Sequence, residues 1–180
     1  VSQATLRIVK VFWCLSASLA YRRHFPAIDW LQSYSLYSER LKAYYNSSVA
    51  QDWSVLVNET MQILQEEAEL DEIVRLVGVD ALGFKDRATL ECARSIREDF
   101  LHQNSFHEVD TYTSLGKQHA MLKMIIAWYK KALTALETHV NFDKIIEMPV
   151  REQIGRMKYV PESEYKVKFA DLAKELDAEF

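Results

Sequence analysis

The sequence predicts a mainly α-helical fold, preceded by the last strand and short helix of another, incomplete unit. Three observations carry this. Only 4 glycines and 3 prolines occur in 180 residues, too few for a turn-rich sandwich or barrel. Apolar residues recur at helical spacing over long runs, most clearly from Leu115 to Val140. The one strand-like run lies near the start and has no evident partner.

That run, Thr5 to Trp13, alternates apolar and basic residues and then turns wholly apolar, with β-branched enrichment. Its backbone N–H and C=O groups need partners, so its sheet is expected mostly outside this sequence. Ser16 is placed to cap a short helix running to about Arg23, ended by His24-Phe25-Pro26. From Ser33 onward the pattern reads as helical, with Tyr34, Tyr37, Leu41 and Tyr44 on one face. Leu56, Ile63, Leu64, Ile73, Val74 and Val77 belong to one long helix or two collinear ones, ended by Gly78. Asp86 is placed to cap the next, whose inner face carries Leu90, Ala93, Ile96, Phe100 and Leu101.

The clearest stripe follows: Leu115, Leu122, Ile125, Ile126, Tyr129, Leu133, Leu136 and Val140. Pro149 and Pro161 each suit the first turn of a further helix. Val150, Ile154 and Met157 line one of these, and Tyr165, Phe169, Leu172 and Leu176 the other. Five to seven helices are expected in all.

Composition excludes several functions. A formal charge of -4 with no Lys/Arg block gives no attraction to nucleic acid or to an acidic membrane surface. No apolar run approaches the ~20 residues of a membrane span, so no direct membrane insertion is expected. Val1-Ser2-Gln3-Ala4 has no initiator Met and no signal-peptide pattern, and reads as a cut within a longer protein. Cys14 and Cys92 have no metal spacing and fit a reducing compartment, the cytoplasm.

Catalytic and metal motifs are not found. The Gly116-Lys117 pair is followed by Gln118 and has Thr111 where a phosphate loop needs its first glycine. Of five histidines only Asp99/His102 resembles half of a Glu-x-x-His site, so no metal is expected. The acidic run Glu66 to Glu72 reads as a solvated helix face. Taken alone, the chain should not be an enzyme.

One corner stands out. Pro26 disfavours the α region for Phe25, which is therefore extended where it leaves a helix behind. A ring on such a rigid corner suits stacking against a flat ligand, and it also suits core packing, the role that local evidence favours because buried aromatics far outnumber ligand-stacking ones.

Four stretches together resemble the C-terminal part of the catalytic A subunit of V-type and archaeal A-type rotary ATPases. They are Ile8 to Trp13; Arg23 to Leu31 with Ser33-Tyr34-Ser35; Ile63 to Glu67 through Glu72 to Gly78; and Asp99-Phe100-Leu101-His102-Gln103-Asn104-Ser105-Phe106. The likeness runs in order along essentially the whole chain. It implies that residues 1–33 are the C-terminal edge of a P-loop α/β nucleotide-binding domain and residues 34–180 a C-terminal helical bundle. The family's phosphate loop, magnesium ligands and catalytic glutamate would lie upstream. ATP or ADP with Mg2+ is then expected in the full-length subunit, while the chain alone should bind none and be inactive.

The resemblance also implies two adenine contacts, Phe25 and Phe106, as opposite walls of one pocket. The loop Asp80-Ala81-Leu82-Gly83-Phe84-Lys85 aligns with the tip that pushes on the central stalk. Here it is only weakly acidic and is expected to expose Phe84 or Leu82. Expected partners are non-catalytic B subunits in an alternating hexamer and the central stalk subunits, on the cytoplasmic side and peripheral to the membrane. Cys14-Leu15-Ser16 stands where relatives commonly have Gly-Leu-Asp. The alternatives are a fragment of the F-type catalytic subunit, which Phe25 in place of tyrosine disfavours, and a free-standing helical interaction module, which the orphan strand disfavours.

Overall fold

A computed structural model describes Thr5 and residues 8–180 of the chain. The expected strand is present but shifted: β1 spans Val11–Leu15, and residues 6 and 7 lie outside the described residues. It is not an orphan within this chain. A second strand, β2 (Ile28–Ser35), pairs with it antiparallel, with Val11 opposite Ser35 and Leu15 opposite Ile28. The pairing slips between Phe12 and Cys14. There Asp29 Oδ1 accepts from the amides of Leu31 and Gln32, both at 3.0 Å, and Cys14 N donates to Ser33 Oγ at 3.0 Å. That side-chain bonding breaks the period-two pattern of β2, which is why residues 33–35 read as the start of a helix.

Between the strands, α1 (Ala17–Tyr21) is capped as expected by Ser16, whose Oγ accepts from Leu19 N. It ends in a left-handed closure. Arg23 takes φ 58°, with Arg23 N donating to Ala20 O and His24 N to Leu19 O.

The helical part begins at Ser38, not Ser33. Helix α2 (Ser38–Ser48) buries no residue, and the predicted tyrosine face does not form: Tyr34 lies in β2, Tyr37 is the N-cap, and both are exposed, as are Leu41 and Tyr44 within the helix. Helix α3 (Trp53–Val77) is a single 25-residue rod, ended by Gly78 at φ 85°. Leu56, Ile63 and Leu64 are buried along it, whereas Ile73 and Val77 near its far end are exposed.

Helix α4 (Phe84–Ser95) begins at the N-cap Gly83, so Asp86 sits in its first turn and is not the cap. It runs on into a π-helical turn at Ile96–Leu101. The remaining helices are α5 (Leu115–Glu137), α6 (Phe142–Ile146), α7 (Pro149–Arg156) and α8 (Tyr165–Glu179). Pro149 opens α7 as expected; Pro161 instead precedes α8, its carbonyl accepting from Tyr165 N at 3.1 Å. Seven α-helices thus follow Ser35 among the described residues, within the expected range.

The core lies between α3, α4, α5, α7 and α8. Ala88, Cys92 and Ala93 on α4 and Ala132 on α5 are wholly inaccessible, and these small residues let the helices approach closely. Helix α5 is buried more widely than its predicted stripe, adding Met121, Met124 and Trp128 to Leu122, Ile125, Ile126 and Tyr129. The Tyr129 hydroxyl is satisfied by Thr89 Oγ1 at 2.8 Å.

Candidate functional site

Phe25 follows His24 at the exit from α1, and its carbonyl accepts from Gln103 N at 2.8 Å. That bond joins the corner before β2 to the loop after the π-helical turn. Phe106 lies three residues beyond Gln103 in that loop. The two segments implied to carry one pocket are therefore adjacent. Neither ring sits in the core: Phe25 is 51% exposed and Phe106 97% exposed. Neither stacks on another ring among the described residues. Phe106 is an open ring and Phe25 a half-exposed one, and an exposed ring is what a flat ligand stacks on.

The loop presenting Phe106 is held from beneath by Asp110, which is buried. Asp110 Oδ2 accepts from Asn104 N at 2.7 Å, and its carbonyl accepts from Gln103 Nε2 at 2.7 Å. Asn104 Oδ1 accepts from Phe106 N at 3.0 Å, which fixes the backbone under the ring. His107 Nδ1 accepts from the amides of Val109 and Asp110, and the imidazole packs on Tyr159 at 4.6 Å.

The π-helical turn itself ends on Lys158, which Lys117 holds in turn. Lys158 Nζ donates to the carbonyls of Glu98 (2.8 Å) and His102 (3.3 Å), while Lys117 Nζ donates to Lys158 O at 3.0 Å. Lys117 is inaccessible, and burial pulls its pKa down against the nearby Glu162 and Asp110 carboxylates. The Lys158 bonds satisfy carbonyls that the wider turn would leave without partners.

His24 is buried between Trp30 and His102, with ring centroids at 5.7 and 5.2 Å. Burial lowers its pKa, opposed by the Glu98 carboxylate and reinforced by His102. On α3, Glu67 corrects the solvated reading of the acidic run at its own position. It is 6% exposed and bound by Arg97 Nε at 2.9 and 3.2 Å. Burial still pushes its carboxyl above the ordinary range, with Arg97 working against the rise. Asp99 does not join His102; it accepts from Ser95 Oγ at 2.6 Å.

The tip between α3 and α4 lies at the other end of the helix that leads to Phe106. Val79–Ala81 form a 3-10 turn, and Asp80 pairs with Arg87 at 3.1 Å. Leu82 is buried, so of the two residues expected to be exposed it is Phe84 that stands out, at 60%. Its ring stacks on Phe142 at 5.7 Å. Gly83 and Lys85 are exposed beside it.

The supporting residues Gln103, Asn104 and Asp110 were not foreseen as parts of the site, although Gln103 and Asn104 stand inside one of the recognised stretches. Polar side chains that bond backbone across a loop carry no periodic signal; Asn and Asp are common enough in turns to be unspecific.

Comparison with known proteins matches residues 42–146 to the family described as the C-terminal domain of V and A type ATP synthase. The chain is 60% identical over 177 residues to the V-type ATP synthase alpha chain of Acetivibrio thermocellus, covering 98% of this chain and 30% of that one. It is 56% identical over 179 residues to the alpha chain of Clostridium perfringens, covering 99% of this chain and again 30% of the relative. The chain therefore spans about 30% of the length of these relatives. Its fold is similar to that of the ATP synthase subunit NeqB from Nanoarcheaum equitans, with TM-score 0.59 and 21% identity over 71% of this chain and 30% of that one.

Proposed function

Because the chain belongs to the family of the C-terminal domain of V and A type ATP synthase, we propose that it is the C-terminal part of the catalytic subunit of an ion-translocating rotary ATPase. In this reading residues 1–33 form the edge of the nucleotide-binding domain, and residues 34–180 form a lever between nucleotide and rotor. The exposed apolar side chains of β1, Val11, Trp13 and Leu15, support a sheet that continues beyond this hairpin.

The single observation that carries the site is the Gln103 N to Phe25 O bond, which sets the Phe25 corner beside the Phe106 loop. Phe25 and Phe106 are assigned to opposite faces of an adenine ring. The residues present fit the purine half of ATP or ADP, through exposed rings and a rigid loop. The sequence holds no phosphate loop, so the phosphates and Mg2+ belong to the upstream part of the subunit. Phosphoryl transfer, to water in hydrolysis and from phosphate in synthesis, is then done there and not by this chain.

The lever follows from one continuous element. Phe84 to Leu101 is a single helical run of about 27 Å at ~1.5 Å per residue. Its start carries the tip Asp80 to Lys85, assigned to the central stalk, and its end carries the Phe106 loop. A push at the tip therefore reaches one adenine wall, and rotor angle shifts the balance between open and closed pocket. Non-catalytic B subunits complete the ring. No helix among the described residues is long and apolar enough to cross a membrane, consistent with a subunit peripheral to it on the cytoplasmic side.

The test is nucleotide affinity in the assembled complex with full-length subunit. Stacking is worth ~1–3 kcal/mol per ring by alanine substitution, so Phe25→Ala or Phe106→Ala should weaken ADP binding about 5- to 150-fold with assembly intact. Unchanged affinity in both variants sinks the reading.

A further inference from the structure

Beneath the Phe25 corner the structure brings together three side chains that sequence spacing does not connect. His24 from the end of α1 meets Glu98 and His102 from the π-helical turn, and one ligand-type atom of each lies within 4.8 Å of the others. His24 is buried, His102 half-buried and Glu98 exposed. From this cluster we infer a binding site for a divalent transition metal, of the Zn2+ or Co2+ class, bridging the N-terminal segment to the helical body.

The state of the two imidazoles points to a ligand. His102 Nδ1 is buried without any hydrogen-bond partner, a costly state for an imidazole nitrogen. A cation bound at Nδ1 would supply the missing partner. In addition, neither imidazole hydrogen-bonds any protein group among the described residues, so both keep a lone pair to give. The two rings meet edge-on at 5.2 Å, close enough for one ion between them.

The donor set selects the metal. Two imidazoles and one carboxylate suit Zn2+, Co2+ or Fe2+ and not Ca2+ or Mg2+, which take oxygen ligands. Ligands at ~2.0–2.2 Å around one ion stand about 3.4 Å apart, so atoms that lie within 4.8 Å of one another need only a small closure to reach one ion. Glu98 is the arm that closes it, being exposed and held only through one oxygen by Arg97 Nη1 at 3.3 Å. Its exposure leaves the outer side of the ion to water.

The neighbouring cations do not occupy the site. Arg97 is engaged by Glu67 through Nε and reaches Glu98 only through Nη1 at 3.3 Å, and Lys158 Nζ is engaged by the carbonyls of Glu98 and His102. Their charge lowers affinity without blocking access. His24 adjoins Phe25, and His102 adjoins the amide that binds Phe25 O, so a metal here staples the same seam as the Gln103 bond.

The experiment titrates the full-length subunit with Co2+ and follows its visible ligand-field bands, with Zn2+ competition. His102→Gln and Glu98→Gln are compared with the unaltered protein; Glu98 is exposed, so its variant leaves folding intact. Loss of one outer-shell partner alone costs about 10–100-fold in affinity, and loss of a ligand should cost no less. The expected result is one imidazole-type Co2+ equivalent, displaced by Zn2+ and weakened at least tenfold in both variants. Equal stoichiometry and spectra in the unaltered protein and Glu98→Gln, or no such equivalent at all, overturn the site.

Discussion

Arg97 binds Glu67 through Nε to both carboxylate oxygens, at 2.9 and 3.2 Å, across thirty residues of sequence. The pair ties the π-helical turn to the middle of α3, with the Glu67 side chain 8% and the Arg97 side chain 22% exposed. Arg97→Ala should therefore leave a buried carboxylate without its partner. Breaking one side of such a pair costs ~3–5 kcal/mol, and the partial exposure of Arg97 places this one near the lower end. Replacing both residues with Met should cost less than the single change. Urea unfolding of the three variants checks the order; a double variant worse than Arg97→Ala refutes it.

The backbone at the two long-helix ends gives opposite predictions. Gly78 lies at φ 85° and ψ 160°, a region that side chains avoid, and nothing lies within 4 Å of an added Cβ. Gly78→Ala should thus lose ~1–3 kcal/mol from backbone strain alone. His139 closes α5 at φ 63° with Val140 N donating to Ala135 O, a left-handed position where glycine carries no Cβ penalty. His139→Gly should stabilise by roughly 1 kcal/mol. Thermal unfolding of both variants reads the sign directly.

These examples also show what the sequence made legible. Gly78, Ser16 and Pro149 act where local stereochemistry placed them, because caps and breakers depend on a few adjacent residues. The buried face of α8 followed from spacing, and so did the middle of the α5 stripe, whereas Leu115 and Val140 at its ends, like Ile73 and Val77 of α3, are exposed. The strand β2 did not follow from spacing, since Asp29 and Ser33 bond its backbone and disturb the alternation. Glu67 was misread because its burial depends on Arg97 from another helix. The Phe25 and Phe106 segments were nominated by resemblance, but their adjacency rests on a backbone bond that has no sequence signature.

Acid should loosen the start of α3. Asp52 accepts from Lys123 Nζ and pairs with His119 Nε2, both at 2.8 Å, linking α3 to α5. The Lys123 bond, helped by His119 against burial, holds the carboxyl down to about 2. Its folded pKa lies below the unfolded value of ~3.9, so its contribution is present above pH ~4 and lost as pH falls toward 2. With 44% of its side chain exposed, solvent screening limits the contribution to ~1 kcal/mol or less. Asp52→Asn should be less stable than the unaltered chain at pH 6, with the gap closing toward pH 2. A gap independent of pH excludes this charge as its source.

The tip prediction separates charge from shape in the proposed rotor contact. Asp80 is nearly free in water and partnered by Arg87, so its charge is already offset. Phe84 instead presents an apolar ring, 60% exposed, braced from behind by Phe142. A ring supported in this way resists displacement along the helix that it starts, and so transmits force to the Phe106 loop. Phe84→Ala in the assembled complex should uncouple ATP turnover from ion transport, lowering ions moved per ATP, while Asp80→Asn changes it little. Nucleotide affinity at equilibrium should stay near normal in both, because neither residue touches the adenine walls. The measurement is paired ATP hydrolysis and ion transport in the same vesicles. If Asp80→Asn uncouples and Phe84→Ala does not, the contact is electrostatic and the apolar reading of the tip fails.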